Sequence, residues 1–120
     1  MNKEFIPYEQ ALALKELGFD EPCFGRFNPD NDLVISHTET YNTDFRKTLF
    51  TQAPTFQQAF RWFRDKHNLH NGIYPYYDEY EFQIKDFRLP TNTPINGGLM
   101  PYEEAELACL IKLIEIVKQK

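Results

Sequence analysis

The sequence predicts an α+β fold of order α-β-β-α-β-β-α, two antiparallel hairpins packed with three helices, and three observations carry that expectation. Three stretches, IPYEQALALKEL, APTFQQAFRWF and MPYEEAELACL, each set a proline just before apolar residues at helical spacing. Two short apolar runs flank the turn-forming NPDND between the first two helices. A second pair of runs, GIYPYY and YEFQIKDF, lies between the last two, and Tyr80, Phe82 and Ile84 alternate there with Glu81, Gln83 and Lys85.

The first helix is expected over 7–17, with Pro7 at its first position, Glu9 where the helix dipole favours an anion, and Gly18 as its left-handed stop. Pro101 with Glu103 and Glu104, and Pro54 with Gln57, hold equivalent early-turn places, so the shared wording marks a way to start a helix rather than a sequence repeat. A first hairpin follows in CFGRFNPDNDLVIS. Asp30 and Asp32 serve turn chemistry there, because the remaining ligand pattern of a calcium loop is missing. The polar segment 36–48 reads as a long loop, with a strand at TLFT leading into the second helix over about 54–67. Asn71 and Gly72 favour a chain reversal after it. Pro75 lacks a ladder donor and confines its strand to a sheet edge or a bulge. A loop at 89–100 then leads to the third helix, 101 to about 118.

With 120 residues the chain falls in the range of one domain, 1–120, and 11 Phe, 7 Tyr and 1 Trp can fill a core of that size. The net charge is −5 and no basic stripe stands out, which argues against bulk attraction to nucleic acid. Cys23 and Cys109 are too few and too far apart for a disulfide framework and read as reduced core residues. Neither a leader pattern nor an apolar run long enough for a bilayer is present, so the expectation is a cytoplasmic protein that does not enter a membrane.

On the third helix Tyr102, Ala105, Cys109, Leu113 and Ile116 form one apolar stripe, and Leu107, Leu110, Ile111, Ile114 and Val117 widen it well beyond a one-sided arc. Either the helix is covered within the monomer or its second face, through Leu107, Ile111 and Ile114, meets another chain. On the second helix Phe56, Ala59, Phe60, Phe63 and His67 face inward and Trp62 projects toward the polar side. That indole either folds over a neighbouring segment or anchors a partner with Arg61, Arg64 and Lys66, since Trp and Arg dominate interface energetics. The tyrosines of the second hairpin, Tyr74, Tyr76, Tyr77 and Tyr80, either pack in the core and pair across strands or stack on bases; Asp78, Glu79 and Glu81 beside them repel phosphates.

Catalytic constellations are not written into the chain. His67 and His70 form H-x-x-H without a third ligand, neither cysteine follows a glycine-rich turn, and no phosphate loop, dinucleotide fingerprint or nucleophile elbow occurs. No catalytic, metal-binding or cofactor-binding residue is therefore expected.

The blocks FIPYEQALALKELGFDEPCFG, QAPTFQQAFRWFRDKHNL and PYEEAELACLIKLIEIVK together resemble a family of small proteins of gut bacteria and their phages that has no assigned function. The likeness covers around half of the chain, which carries longer polar loops at 36–48 and 89–100 than is usual there. It implies a phage or prophage accessory protein and brings no activity with it. The expected function is that of a non-enzymatic interaction protein binding a protein partner or itself as a homodimer, with Trp62, Arg61, Lys66, Leu107, Ile111 and Ile114 as partner-binding candidates. The alternative is a nucleic-acid-binding module using the aromatic hairpin or the Arg-bearing second helix.

Overall fold

The structure is a computed structural model that describes residues 2–40, 50–86 and 94–119. It is an α+β fold with three α-helices and two separate three-stranded antiparallel sheets. The elements are α1 (Tyr8–Glu16), β1 (Cys23–Phe27), β2 (Leu33–Thr40), β3 (Thr51–Ala53), α2 (Phe56–His67), β4 (Leu69–Tyr76), β5 (Glu79–Asp86), β6 (Ile95–Asn96) and α3 (Tyr102–Lys118), preceded by a short 3-10 turn at Asn2–Glu4. Two compact units divide the chain, Met1–Gln57 and Gln58–Lys120. Most of the expected 36–48 loop and the first half of the 89–100 loop lie outside the described residues; β2 runs to Thr40, into the segment expected to be loop.

In the first unit the sheet order is β2-β1-β3, with β1 antiparallel to both neighbours. The turn between β1 and β2 is closed by Asn28, whose side-chain oxygen accepts the backbone N–H groups of Asp30 (3.0 Å) and Asp32 (2.9 Å). Asn31 takes a left-handed backbone (φ 66°), which Asn tolerates better than most residues. Both aspartates are exposed and act as turn residues. Helix α1 buries Ala11 and Leu14 and lies beside β3, where the Lys15 ammonium donates to the Phe50 carbonyl at 2.9 Å. The Tyr8 ring stands edge-on to Phe27 with centroids 5.6 Å apart.

The proline starts behave alike at the two ends of the chain. Pro7 (φ −65°, ψ 159°) and Pro101 (φ −58°, ψ 156°) are both extended, and both carbonyls accept the first helical hydrogen bond at 2.9 Å, from Ala11 and Ala105. Each proline therefore stands one residue ahead of the helix rather than at its first position. Pro54 differs: it is buried two residues before α2, and its carbonyl accepts the Ile6 N–H at 3.0 Å. Gly18 closes α1 with φ +98°, a conformation L-residues rarely adopt.

In the second unit the sheet order is β4-β5-β6, so among the described residues β4 is an edge strand. Tyr80 exchanges both of its backbone hydrogen bonds with Met100, donating at 2.8 Å and accepting at 3.0 Å. Its backbone groups thus point away from Pro75, which pairs with it across the β4–β5 ladder. The missing N–H of Pro75 falls on the open side of the sheet, where its absence breaks no ladder bond. Helix α3 packs on β5 and β4. Ala105, Glu106, Cys109, Leu110, Leu113 and Ile114 are buried, and at about 100° per residue they span roughly half the helix circumference.

Candidate functional site

Hairpin β4–β5 is built on a continuous register from Leu69↔Asp86 to Tyr76↔Glu79, closed by the two-residue turn Tyr77–Asp78. Because side chains alternate between faces, this register sorts the hairpin into two surfaces of different chemistry. Leu69, Asn71, Ile73 and Pro75 share one face with Tyr80, Phe82, Ile84 and Asp86; Leu69, Phe82, Ile84 and Asp86 are buried there. The opposite face carries His70, Gly72, Tyr74 and Tyr76 with Glu79, Glu81, Gln83 and Lys85.

Three rings crowd the outer face and tip. Tyr74 is 50% exposed, Tyr76 56% and Tyr77 90%. Tyr74 lies back along its own strand over Gly72: a Cβ at position 72 would fall 2.4 Å from the Tyr74 hydroxyl and 2.6 Å from its Cζ. Glycine at 72 is what lets that ring lie down. Tyr76 and Tyr77 meet edge to face at 4.8 Å and 86°. Tyr77 holds a left-handed backbone (φ 57°) at the first central position of the turn, a place hairpins usually give to Gly, Asn or Asp. For a bulky L-residue that conformation costs roughly 1–2 kcal/mol, and here it presents a nearly fully exposed phenol. Carboxylates accompany the rings: Glu81 stands directly opposite Tyr74, Glu79 opposite Tyr76, and Asp78 follows Tyr77. The Gln83 side-chain amide donates to Glu81 at 3.5 Å.

A short polar line runs where α3 meets the inner side of this unit. Tyr80 and Tyr102 pack edge to face at 5.1 Å, and the Tyr102 hydroxyl bonds to Glu106, buried within the apolar arc of α3. Burial pushes the Glu106 carboxyl above its ordinary value, the Tyr102 hydrogen bond opposes the shift and Glu103 adds to it. Tyr102 is raised in turn, by burial first and then by the charge of Glu106. One turn on, Cys109 is pushed up to about 12 by burial, against a hydrogen bond with Asn71. Its thiol is protonated near neutrality, in the state that neither attacks nor ligates. Neither Cys23 nor Cys109 forms a disulfide.

The partner-binding residues expected from helical spacing are scattered by the structure. Trp62 is only 5% exposed, its ring edge-on to Phe63 (5.1 Å) and His67 (4.9 Å), so the outward indole anchor is corrected to a core residue. An indole is large enough to reach back from the flank of α2, which a helical wheel of Cβ directions does not register. Arg61 and Lys66 are exposed on α2. Ile114 is 6% exposed and thus also belongs inside, Leu107 is half-buried, and Ile111 alone of the three stands out, at 41%. Tyr102, expected on the inward stripe, is exposed in the first turn of α3. Asn71 and Gly72, expected to reverse the chain, instead lie within β4, paired with Ile84 and Gln83; the signal for Glu106 is a glutamate between the two apolar sets of the last helix.

Among the described residues no group of three His, Cys, Asp or Glu side chains could hold a metal ion. His70 instead contacts the Asn68 side-chain oxygen at 3.2 Å. No described helix is long and apolar enough to cross a membrane. No family model, curated protein or solved structure matches the chain.

Proposed function

We propose that the protein is a small non-enzymatic interaction module that binds a protein partner through the outer face and tip of hairpin β4–β5. The observation that carries this reading is the set of three adjacent tyrosines, 50%, 56% and 90% exposed, the last held out on a left-handed backbone. Rings presented in this way lose little conformational freedom on binding, because a phenol has only two side-chain torsions to fix, and large amphipathic rings are typical interface anchors. Stacking on bases is the competing use of such rings, but Asp78, Glu79 and Glu81 stand among them and would repel a phosphate backbone. The sequence resemblance to a family of bacterial and phage proteins supports an accessory role of this kind.

The test is a comparison of captures from cells that express the protein naturally. The full chain, a Tyr74→Ser/Tyr76→Ser variant and an Ile111→Ser variant are used as bait, each first shown to be folded by circular dichroism. A partner held by the full chain and by Ile111→Ser, and lost by the hairpin variant, is the expected result; removing an anchor ring typically costs about 2 kcal/mol, roughly thirtyfold in affinity. Retention by the hairpin variant with loss on Ile111→Ser would move the site to α3 and overturn the assignment.

A further inference from the structure

Resting on the reading of the hairpin as an interaction face, we propose that its occupant is a cationic polypeptide segment that lies extended along β4–β5 with Lys or Arg at alternate positions. The register places Tyr74 directly opposite Glu81 and Tyr76 directly opposite Glu79 on the outer face, which makes two couples of one ring and one carboxylate. Opposed side chains start about 5 Å apart at their Cβ atoms, so one cation can sit against a ring and reach the neighbouring carboxylate. The couples are two residues apart along each strand, a separation of about 7 Å. That is the spacing of every second side chain on an extended chain, slightly wider than the roughly 6 Å between residues four apart on a helix.

The charge of the face points the same way. Asp78, Glu79 and Glu81 cluster at its tyrosine end, and its one basic residue, Lys85, lies at the far end of β5, opposite His70. An acidic segment would be repelled at the couples. A neutral apolar one would leave Glu79 and Glu81 to be covered without a counter-charge, which is costly. A guanidinium satisfies both halves of each couple, stacking on the phenol while donating to the carboxylate.

The experiment titrates the full chain with three synthetic octapeptides, followed by calorimetry and by two-dimensional NMR. One alternates Arg and Thr, one carries the same four Arg as a block followed by four Thr, and one alternates Glu and Thr. The alternating Arg peptide should shift the amides of β4 and β5 and bind at least about fivefold more tightly than the block peptide, with the Glu peptide silent. Binding should weaken about tenfold in Glu79→Gln/Glu81→Gln and in Tyr74→Ser/Tyr76→Ser, and several-fold as salt rises from about 50 to about 200 mM. Equal binding of the alternating and block peptides, or no hairpin shifts, would overturn the inference. Tightening by a thymidine oligonucleotide would overturn it in favour of nucleic acid, and hairpin shifts that depend on protein concentration alone would assign the face to a second copy. Failure of this inference is separable from failure of the proposed function: if the Glu79→Gln/Glu81→Gln bait keeps the cellular partner while Tyr74→Ser/Tyr76→Ser loses it, the face binds without cationic recognition.

Discussion

Helix α3 and hairpin β4–β5 pack on one another, yet they treat their apolar residues in opposite ways. The helix is apolar around most of its circumference and buries about half of it, with Tyr102 and Ile111 exposed and Leu107, Ile116 and Val117 half-buried; the hairpin has a polar outer strand pattern and sets two half-exposed rings and one nearly bare ring in solvent. The difference follows from geometry. A helix laid on a sheet presents a graded series of angles, and side chains at the flanks bend back, so a buried arc can widen to about half a turn. A strand offers only two directions, and whatever is written on the outer parity stays outside. Apolar width on a helix therefore does not by itself say which residues stay in water, whereas the outward parity of a strand does.

Substitutions along α3 give the most forceful test of this contrast. Leu110→Ala should cost about 2–5 kcal/mol in denaturant unfolding, as core truncations of this size do, while Ile111→Ala one position on should cost well under about 1 kcal/mol. Equal losses at the two sites would mean that the half-turn boundary of the buried arc is misplaced. A smaller effect of opposite sign is expected on the hairpin. Tyr77→Gly relieves a left-handed backbone and should raise stability by about 1 kcal/mol, read as a higher urea midpoint with an unchanged slope, even as it weakens partner capture. Stability that falls instead would show the Tyr77 ring to be a structural prop of the Tyr76 pair rather than a presented anchor.

The mildest test concerns the polar line beneath α3 and is read as a pH dependence. Burial raises the Glu106 carboxyl in the folded protein, so above its ordinary value of 4.5 the unfolded chain ionises first and the folded state is left holding a proton. Deprotonation then favours unfolding: the contribution is complete below 4.5 and is lost as pH rises through the folded value. Glu106→Gln keeps an acceptor for the Tyr102 hydroxyl and removes the titration, so its stability advantage over the wild type should grow as pH climbs from 4.5 and then level off. An advantage that is flat across that range would place the carboxyl in water.

Much of this architecture is legible in the residues. Proline starts, the Gly18 stop and the alternation of β5 place α1, α3 and β5 to within a residue or two, because those signals are local, whereas β4 begins at Leu69, three residues before the expected strand, and runs through the Asn71–Gly72 pair read as a reversal. Strand β6 is not legible, since Ile95–Asn96 is too short to show a period, and the addition of β3 to β1 rather than to the second hairpin depends on contacts distant in sequence. The site divides in the same manner. Outward parity of Tyr74 and Tyr76 follows once the register is known, and the register depends on a two-residue turn whose first residue, Tyr77, is not one that turns normally select. For Trp62 and Ile114 the sequence leaves burial and partner contact both open, and the structure buries both, because a wheel reports direction and not reach.

Pro75 on the open edge of β4 has a further consequence for the molecule in a crowded solution. An intruding strand from a misfolded neighbour would seek an unbroken row of amide donors along that margin, and at position 75 it meets a ring nitrogen without a hydrogen. Fibre growth by strand addition is interrupted beside the very tyrosines whose exposure would otherwise make this margin adhesive.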